Sequence, residues 1–221
     1  DAEFMQLHAC VAVDSEDAFI PGDVWDGLAD SGSEVAAAGA VGIDGSYTYD
    51  TTVVAHAAMA ADGRIDVDCR VFSARYDAPH HVLCPGGKIN FGDVEEHTVK
   101  TALDHGVLEV AFDPRFMGRS AELISDRVRC QVFPVEPTSK HMRDALATFH
   151  RLTVEGVIRH KGDPVVRSHV MATVASRDDS GWRVSKRKAS RPIDAVPAMA
   201  MAVWRAAQHA HPYESRGLLV I

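Results

Sequence analysis

The stretch Val41-Gly42-Ile43-Asp44-Gly45-Ser46-Tyr47-Thr48-Tyr49-Asp50 follows an Ala-rich apolar run and precedes Thr52-Val53-Val54-Ala55-His56-Ala57-Ala58. An apolar run that ends in Asp and Gly and resumes as another apolar run predicts two strands joined by a short polar turn, with Asp44 on the first. An acid inside a Val/Ile/Ala run costs several kcal/mol by desolvation unless donors or a cation compensate. Its partner is either the turn backbone or a divalent metal. Two further acids arrive at comparable places, Asp113 and Asp194, and they bring the metal into consideration.

Working outward, strands are predicted over Ala36 to Gly45, Thr52 to Ala60 and Ile65 to Ser73, the last with strict alternation of Ile65, Val67, Cys69 and Val71. Ala61-Asp62-Gly63 is a hairpin signal, so three antiparallel strands open the domain. After a Pro/Gly loop from Pro79 to Gly87, helical spacing runs from Val94 to His105, with Gly106 as the C-terminal cap. Val107 to Phe112 then reads as a strand delivering Asp113 at its end. A helix through Ala121, Leu123 and Ile124 follows, and a fifth strand over Gln131 to Val135. This alternation implies parallel pairing with right-handed crossovers. Helices are predicted over Lys140 to Glu155, after Asp163-Pro164, and from Ile193 to His209, with a Gly-containing turn at Asp178 to Gly181. Pro197 is tolerable only in the first turn of the last helix, which fits a start near Ile193.

Residues 1–34 alternate apolar anchors such as Phe19, Ile20, Trp25 and Leu28 with acids, and Pro21-Gly22-Asp23 reads as the start of a short helix over Val24 to Ala29. They are expected to be a linker or arm ahead of a single domain spanning 35–221. The 221-residue length suits one α/β domain. No apolar stretch is long enough for a membrane span and no cleavable leader is present, so a soluble, intracellular protein is expected. Cys10, Cys69, Cys84 and Cys130 form no C-x-x-C pair, which argues against zinc and a disulfide framework and predicts free thiols. The formal charge is -8, yet residues 1–34 hold nine acids and no Lys or Arg, while residues 115–191 hold sixteen of the 23 basic residues. The second half therefore offers a basic face to a partner such as nucleic acid.

Three hairpin-linked strands, then helix, strand, helix, strand and a C-terminal helix, is the element order of the ribonuclease H-like α/β fold, with a mixed central sheet flanked by helices. In that arrangement the first and fourth strands are neighbours, which puts Asp44 and Asp113 within reach of one ion and lets Asp194 close the cluster. Three converging carboxylates repel one another and are stable together with bound cations, and hard oxygen ligands favour Mg or Mn over zinc. Two such ions suit hydrolysis of a phosphodiester.

The same pieces resemble, in order, the C-terminal nuclease domain of the phage terminase large subunit. They are Gly42-Ile43-Asp44 with Asp50-Thr51-Thr52, then Phe112-Asp113-Pro114, then the run from Val154 through His160-Lys161-Gly162-Asp163-Pro164, then Lys186 with Arg191-Pro192-Ile193-Asp194-Ala195. Leu7-His8-Ala9 and Ile20-Pro21-Gly22-Asp23-Val24-Trp25 are similar to the segment that joins the family's motor to its nuclease. The resemblance implies a two-metal endonuclease acting on double-stranded DNA in the host cell cytoplasm during viral genome packaging. Its partners would be the ATPase motor, the small terminase subunit and the portal. It also implies Asp44, Asp113 and Asp194 as catalytic metal ligands. The family's G-x-x-x-x-G-K-S/T phosphate loop is absent here, so the chain resembles the nuclease without the motor. An Asn that the family often carries near Ala172 is absent too.

Other residues carry lesser expectations. Asp50 is either a turn acid or a fourth metal or water-positioning group. Lys186 and Arg191 are candidates for DNA phosphate, with solvated surface as the plain reading of Lys186. His160 and His169 read as helix-end or surface histidines, and His80-His81 as a loop pair. The competing functions are another ribonuclease H-like nuclease, such as a junction resolvase, and a non-catalytic DNA-binding or docking module. Substrate preference separates the first, and the absence of a Mn-dependent rise in melting temperature identifies the second.

Overall fold

Pro21, with φ fixed near the helical value, sets up α1 (Gly22–Gly27), which starts two residues before the predicted Val24. The structure, a computed structural model, describes residues 18–36, 38–45, 51–74, 78, 80–178, 181–186 and 191–210. Over its described part the expected leading arm is packed onto the rest: Phe19, Ile20 and Trp25 are fully buried in the main core. Ala18 bridges to Val174 and Ala29 to His160.

The first strand, β1 (Ala40–Gly45), begins where Ala gives way to Val and Ile rather than at Ala36, in keeping with the better fit of β-branched side chains to a pleated surface. β2 (Thr51–Met59) and β3 (Ile65–Ser73) follow it antiparallel, with Asp44 opposite Val53 and Ala55 opposite Cys69. A two-residue strand, β4 (Val82–Leu83), pairs parallel with the far end of β3. Asn90 caps α2 (Phe91–His105) by accepting from the Gly92 amide at 3.1 Å, and Gly106 closes it in the left-handed region at φ 63°. β5 (Glu109–Phe112) returns parallel to β1, Gly42 facing Ala111, and α3 (Pro114–Ser125) leads to β6 (Gln131–Pro134) at the sheet edge.

Ser139 caps α4 (Lys140–Val154), whose amphipathic face carries Leu146 and Phe149 to the core. The short β7 (Ile158–His160) pairs parallel with the start of β3, bringing Arg159 opposite Asp66; the guanidinium bonds both Asp66 oxygens at 2.5 and 2.9 Å. α5 (Pro164–Ala172) runs into a hairpin of β8 (Thr173–Asp178) and β9 (Gly181–Lys186), and the predicted Gly turn is the end of that hairpin. The last helix is α6 (Ala195–Ala210), with Pro197 in its first turn as expected. The predicted neighbour relation of the first and fourth strands holds, β1 lying between β2 and β5 in the order β4-β3-β2-β1-β5-β6. β4, β7 and the strands of the hairpin were not predicted.

Alternation along β1 and β2 splits the core. Val41, Ile43 and Val54 face α2 and α3, whereas Val53, Ala55 and Ala57 face α4 and α6. Each fully buried Val, Ile or Phe is worth about 1.5–3 kcal/mol, so a one-residue slip that exchanged the two faces is excluded. The residues of α6 over the sheet are small, Ala198 and Ala202 among them, and the helix settles directly on Gly42: a Cβ there would lie 2.1 Å from the Ala198 carbonyl. Cys69, Cys84 and Cys130 are free, as expected, and Cys10 lies outside the described residues. Among the described residues no helix is long and apolar enough to cross a membrane.

Candidate active site

The parallel pairing of β1 with β5 continues one step past β5, the Asp113 amide donating to the Ile43 carbonyl at 3.0 Å. The backbone of Asp113 is thereby fixed beside the residue that precedes Asp44. Asp113 also caps α3: its Oδ1 accepts from the Arg115 amide at 2.9 Å, and Pro114 occupies the first helical position, where its missing N–H costs nothing. The plain reading of a capping acid is therefore realised, and it does not exhaust the carboxylate. Burial pushes the Asp113 carboxyl above the usual carboxylate range, and the Glu136 charge adds to the rise. The Arg115 amide, the Arg115 charge and a side-chain hydrogen bond with Asp44 oppose it. Two carboxyls in hydrogen-bonding contact must share a proton, or hold a cation in its place.

Asp194 stands immediately before α6 and is 8% exposed. The Thr51 hydroxyl, itself buried on β2, donates to Asp194 Oδ2. His169, buried at the end of α5, accepts from the Ala195 amide through Nδ1 at 3.2 Å. Asp44, Asp113 and Asp194 line one cavity of about 380 Å³, together with Arg115, Arg143 and Arg183. Among the described residues no group of three or more His, Cys, Asp or Glu side chains is placed to hold a metal ion as it stands. The Asp44 and Asp113 pair fits a divalent cation by donor chemistry and by its shared-proton contact, and Asp194 lies on the wall of the same cavity.

Other expected site residues fall elsewhere. Asp50 lies outside the described residues, and Lys186 ends β9 with its side chain outside them. Arg191 is exposed ahead of α6 and is not among the residues lining the cavity. The cations that do line it were missed in the sequence, where the excess of basic residues after position 115 was the signal but not its address. Arg143 donates through Nη1 to the Thr138 carbonyl at 2.8 Å, and its Nε is buried with no partner among the described residues. His160 and His169 are not surface residues. His160 is buried and stacked on Trp25 at 3.9 Å, and His169 is fully enclosed. His81, read as part of a loop, is also buried and bonds Asp163.

Residues 47–210 match the family model described as the terminase large subunit, endonuclease domain. The chain belongs to that family. No curated protein sequence matches it. Among solved structures, the large terminase of bacteriophage HK97 superposes with a TM-score of 0.73 at 23% identity, over 85% of this chain and 43% of that one. This terminase nuclease chain thus spans less than half of the HK97 protein. The large terminase nuclease from thermophilic phage G20c with bound magnesium gives a TM-score of 0.56 at 12% identity, over 86% of this chain and 97% of that one. A mutant nuclease domain of the large terminase subunit gp2 of bacterial virus Sf6, with manganese and beta-thujaplicinol, gives 0.52 at 12%, over 84% and 98%. The fold of this terminase nuclease domain is ribonuclease H-like, as its element order predicted.

Proposed function

We propose that this chain is a metal-dependent endonuclease that hydrolyses phosphodiester bonds of double-stranded DNA, cutting concatemeric viral DNA at the start and end of genome packaging. The observation that carries the reading is the meeting of Asp44, Asp113 and Asp194 on one cavity wall, with the first two in hydrogen-bonding contact. Asp44, Asp113 and Asp194 would hold two Mg or Mn ions, with Asp50 as a fourth ligand or a water-positioning group. Such ions polarise the attacking water and the leaving oxygen of a phosphodiester. The magnesium and manganese in the G20c and Sf6 structures support that choice of metal.

The chain's own residues prepare the site. The Asp113 carboxylate is held by its cap, and the Asp44 backbone by strand pairing. Arg115, Arg143 and Arg183 offer cations at the wall, where a phosphate would otherwise face only carboxylates. Lys186 and Arg191 would meet DNA phosphates. The ATPase motor, small subunit and portal would be partners supplied by the rest of the packaging machine, the motor belonging to the part of a large terminase that this chain does not span.

The test is plasmid DNA incubated with the protein and Mn, beside Asp113→Asn, which keeps a capping side chain while removing a charge. Wild type should nick and linearise the plasmid; the variant should not. The apo melting temperature of the variant should match or exceed wild type, because a repulsion is relieved, and its Mn-induced rise should shrink. Equal cleavage and equal Mn response in the two proteins would leave Asp113 as a cap alone.

A further inference from the structure

The motif ending in Asp163-Pro164 has no contact with the cavity, yet it leads to it through hydrogen bonds. Asp163 caps α5, its Oδ1 accepting from the Val165 and Val166 amides at 2.8 and 3.0 Å. His81 Nδ1 accepts from the Val71 amide of β3 at 3.1 Å, which leaves the proton on Nε2, 3.1 Å from both Asp163 oxygens. The start of α5 is thus tied to the central sheet. At its other end α5 presents His169, 0% exposed, whose Nδ1 takes the Ala195 amide at 3.2 Å.

That amide belongs to the residue after Asp194, at the first position of α6. An acid at a helix start usually bonds the amide two or three residues on. Here the third position is Pro197, which has no N–H, and the Val196 amide already donates to the Ile193 carbonyl at 2.8 Å. The usual donors that would pull the Asp194 carboxylate back over its own helix are absent or engaged. His169 satisfies the remaining helix-start amide from outside, and Thr51 holds the carboxylate from β2.

We propose that His169 is a positioning residue for the metal site: by accepting the Ala195 amide it fixes the turn that presents Asp194 to the cavity shared with Asp44 and Asp113. The inference rests on the reading of Asp194 as a metal ligand. Groups that orient a ligand typically matter by 10–100-fold in metal affinity.

The test compares wild type, His169→Leu, His169→Asn and Asp194→Asn, reading the Mn concentration that half-saturates the rise in melting temperature, and hydrogen exchange of the Ala195 amide without metal. Leu fills space without an acceptor; Asn places Oδ1 close to where Nδ1 lies. His169→Leu should need roughly tenfold more Mn or beyond and exchange the Ala195 amide at least about tenfold faster, with His169→Asn returning both toward wild type. Equal impairment in Leu and Asn, or a wild-type Mn response in Leu, would overturn the positioning role. If neither variant folds, the ¹⁵N shift of His169 Nδ1 in wild type decides: an unprotonated acceptor is expected, and a protonated Nδ1 refutes the proposal. A wild type whose Mn response equals that of Asp194→Asn would instead refute the metal reading itself.

Discussion

Gly42→Ala tests the packing on which the candidate site stands. The added Cβ would lie 2.1 Å from the Ala198 carbonyl oxygen, 2.9 Å from the Ala202 amide nitrogen and 3.0 Å from Met201 Cβ. Ordinary contact begins near 3.5 Å, so β1 and α6 must part by more than about 1 Å. Neither gives easily: β1 is bonded on both sides, to β2 and β5, and the obstruction is helix main chain rather than a side chain that can rotate. Overpacking costs typically about 1–3 kcal/mol, and this geometry places Gly42→Ala at about 3 kcal/mol or above. Because β1 carries Asp44 and α6 follows Asp194, the same displacement separates two walls of the cavity, and Mn-dependent cleavage should fall even where the protein stays folded. Urea midpoints and plasmid nicking below the melting temperature read the two effects. The control is Gly118→Ala on the exposed face of α3, where nothing lies within 4 Å and the substitution should stabilise by about 0.5–1 kcal/mol. A Gly42→Ala protein within about 0.5 kcal/mol of wild type would refute the claim that α6 rests on the β1 backbone.

Three further outcomes are expected. Burial holds His56, His97 and His169 at about 4 against an ordinary 6.5, with the Arg70 and Lys100 charges adding to it at His97 and the Asp163 charge opposing it at His169. Below pH 6.5 the unfolded chain takes up protons that the folded chain refuses, so their contribution is complete above pH 6.5 and is lost as pH falls from 6.5 toward 4; a denaturation midpoint constant between pH 7 and 4.5 would contradict this. Arg159→Met should destabilise, because it strips the cation from the buried Asp66 carboxylate while Ser33 remains its donor; calorimetry showing no loss would make the pair dispensable. DNA affinity should drop steeply between about 50 and 200 mM salt if Arg and Lys meet phosphates, and a flat titration would speak against such an interface.

What was legible in the sequence followed from period and punctuation. β3 has the boundaries its Ile65, Val67, Cys69, Val71 alternation predicts, and Gly106 caps α2 as read. Asp44, Asp113 and Asp194 line one cavity, and each stands at the end or the start of an element that the apolar pattern marked. β4 and β7, two and three residues long, are too short to show a period and exist by pairing with β3. Thr173-Val174-Ala175-Ser176 shows no strict alternation and Trp182-Arg183-Val184 is too short to show a period, so the hairpin beside the predicted turn arises only when they pair. Arg143, Thr51 and His169 were beyond reach for another reason: each looks ordinary in its own element, and only tertiary packing sets it against the acids.

The placement of α6 also sets a timetable. Thr51 and Asp194 are 143 positions apart, and the wall that carries Asp194 is delivered by a helix packed on strands made long before it. At synthesis rates of about 5–20 residues per second, the interval between the two emerging from a ribosome is roughly 7–30 s. Through that interval the sheet has Asp44 and then Asp113 but no partner helix over Gly42, and the apolar face awaiting α6 stays open. A chain interrupted before Asp194 therefore lacks the third acid, the helix over its central strand and the side chains that helix adds to the main core in one stroke, so one wall of the cavity is never assembled.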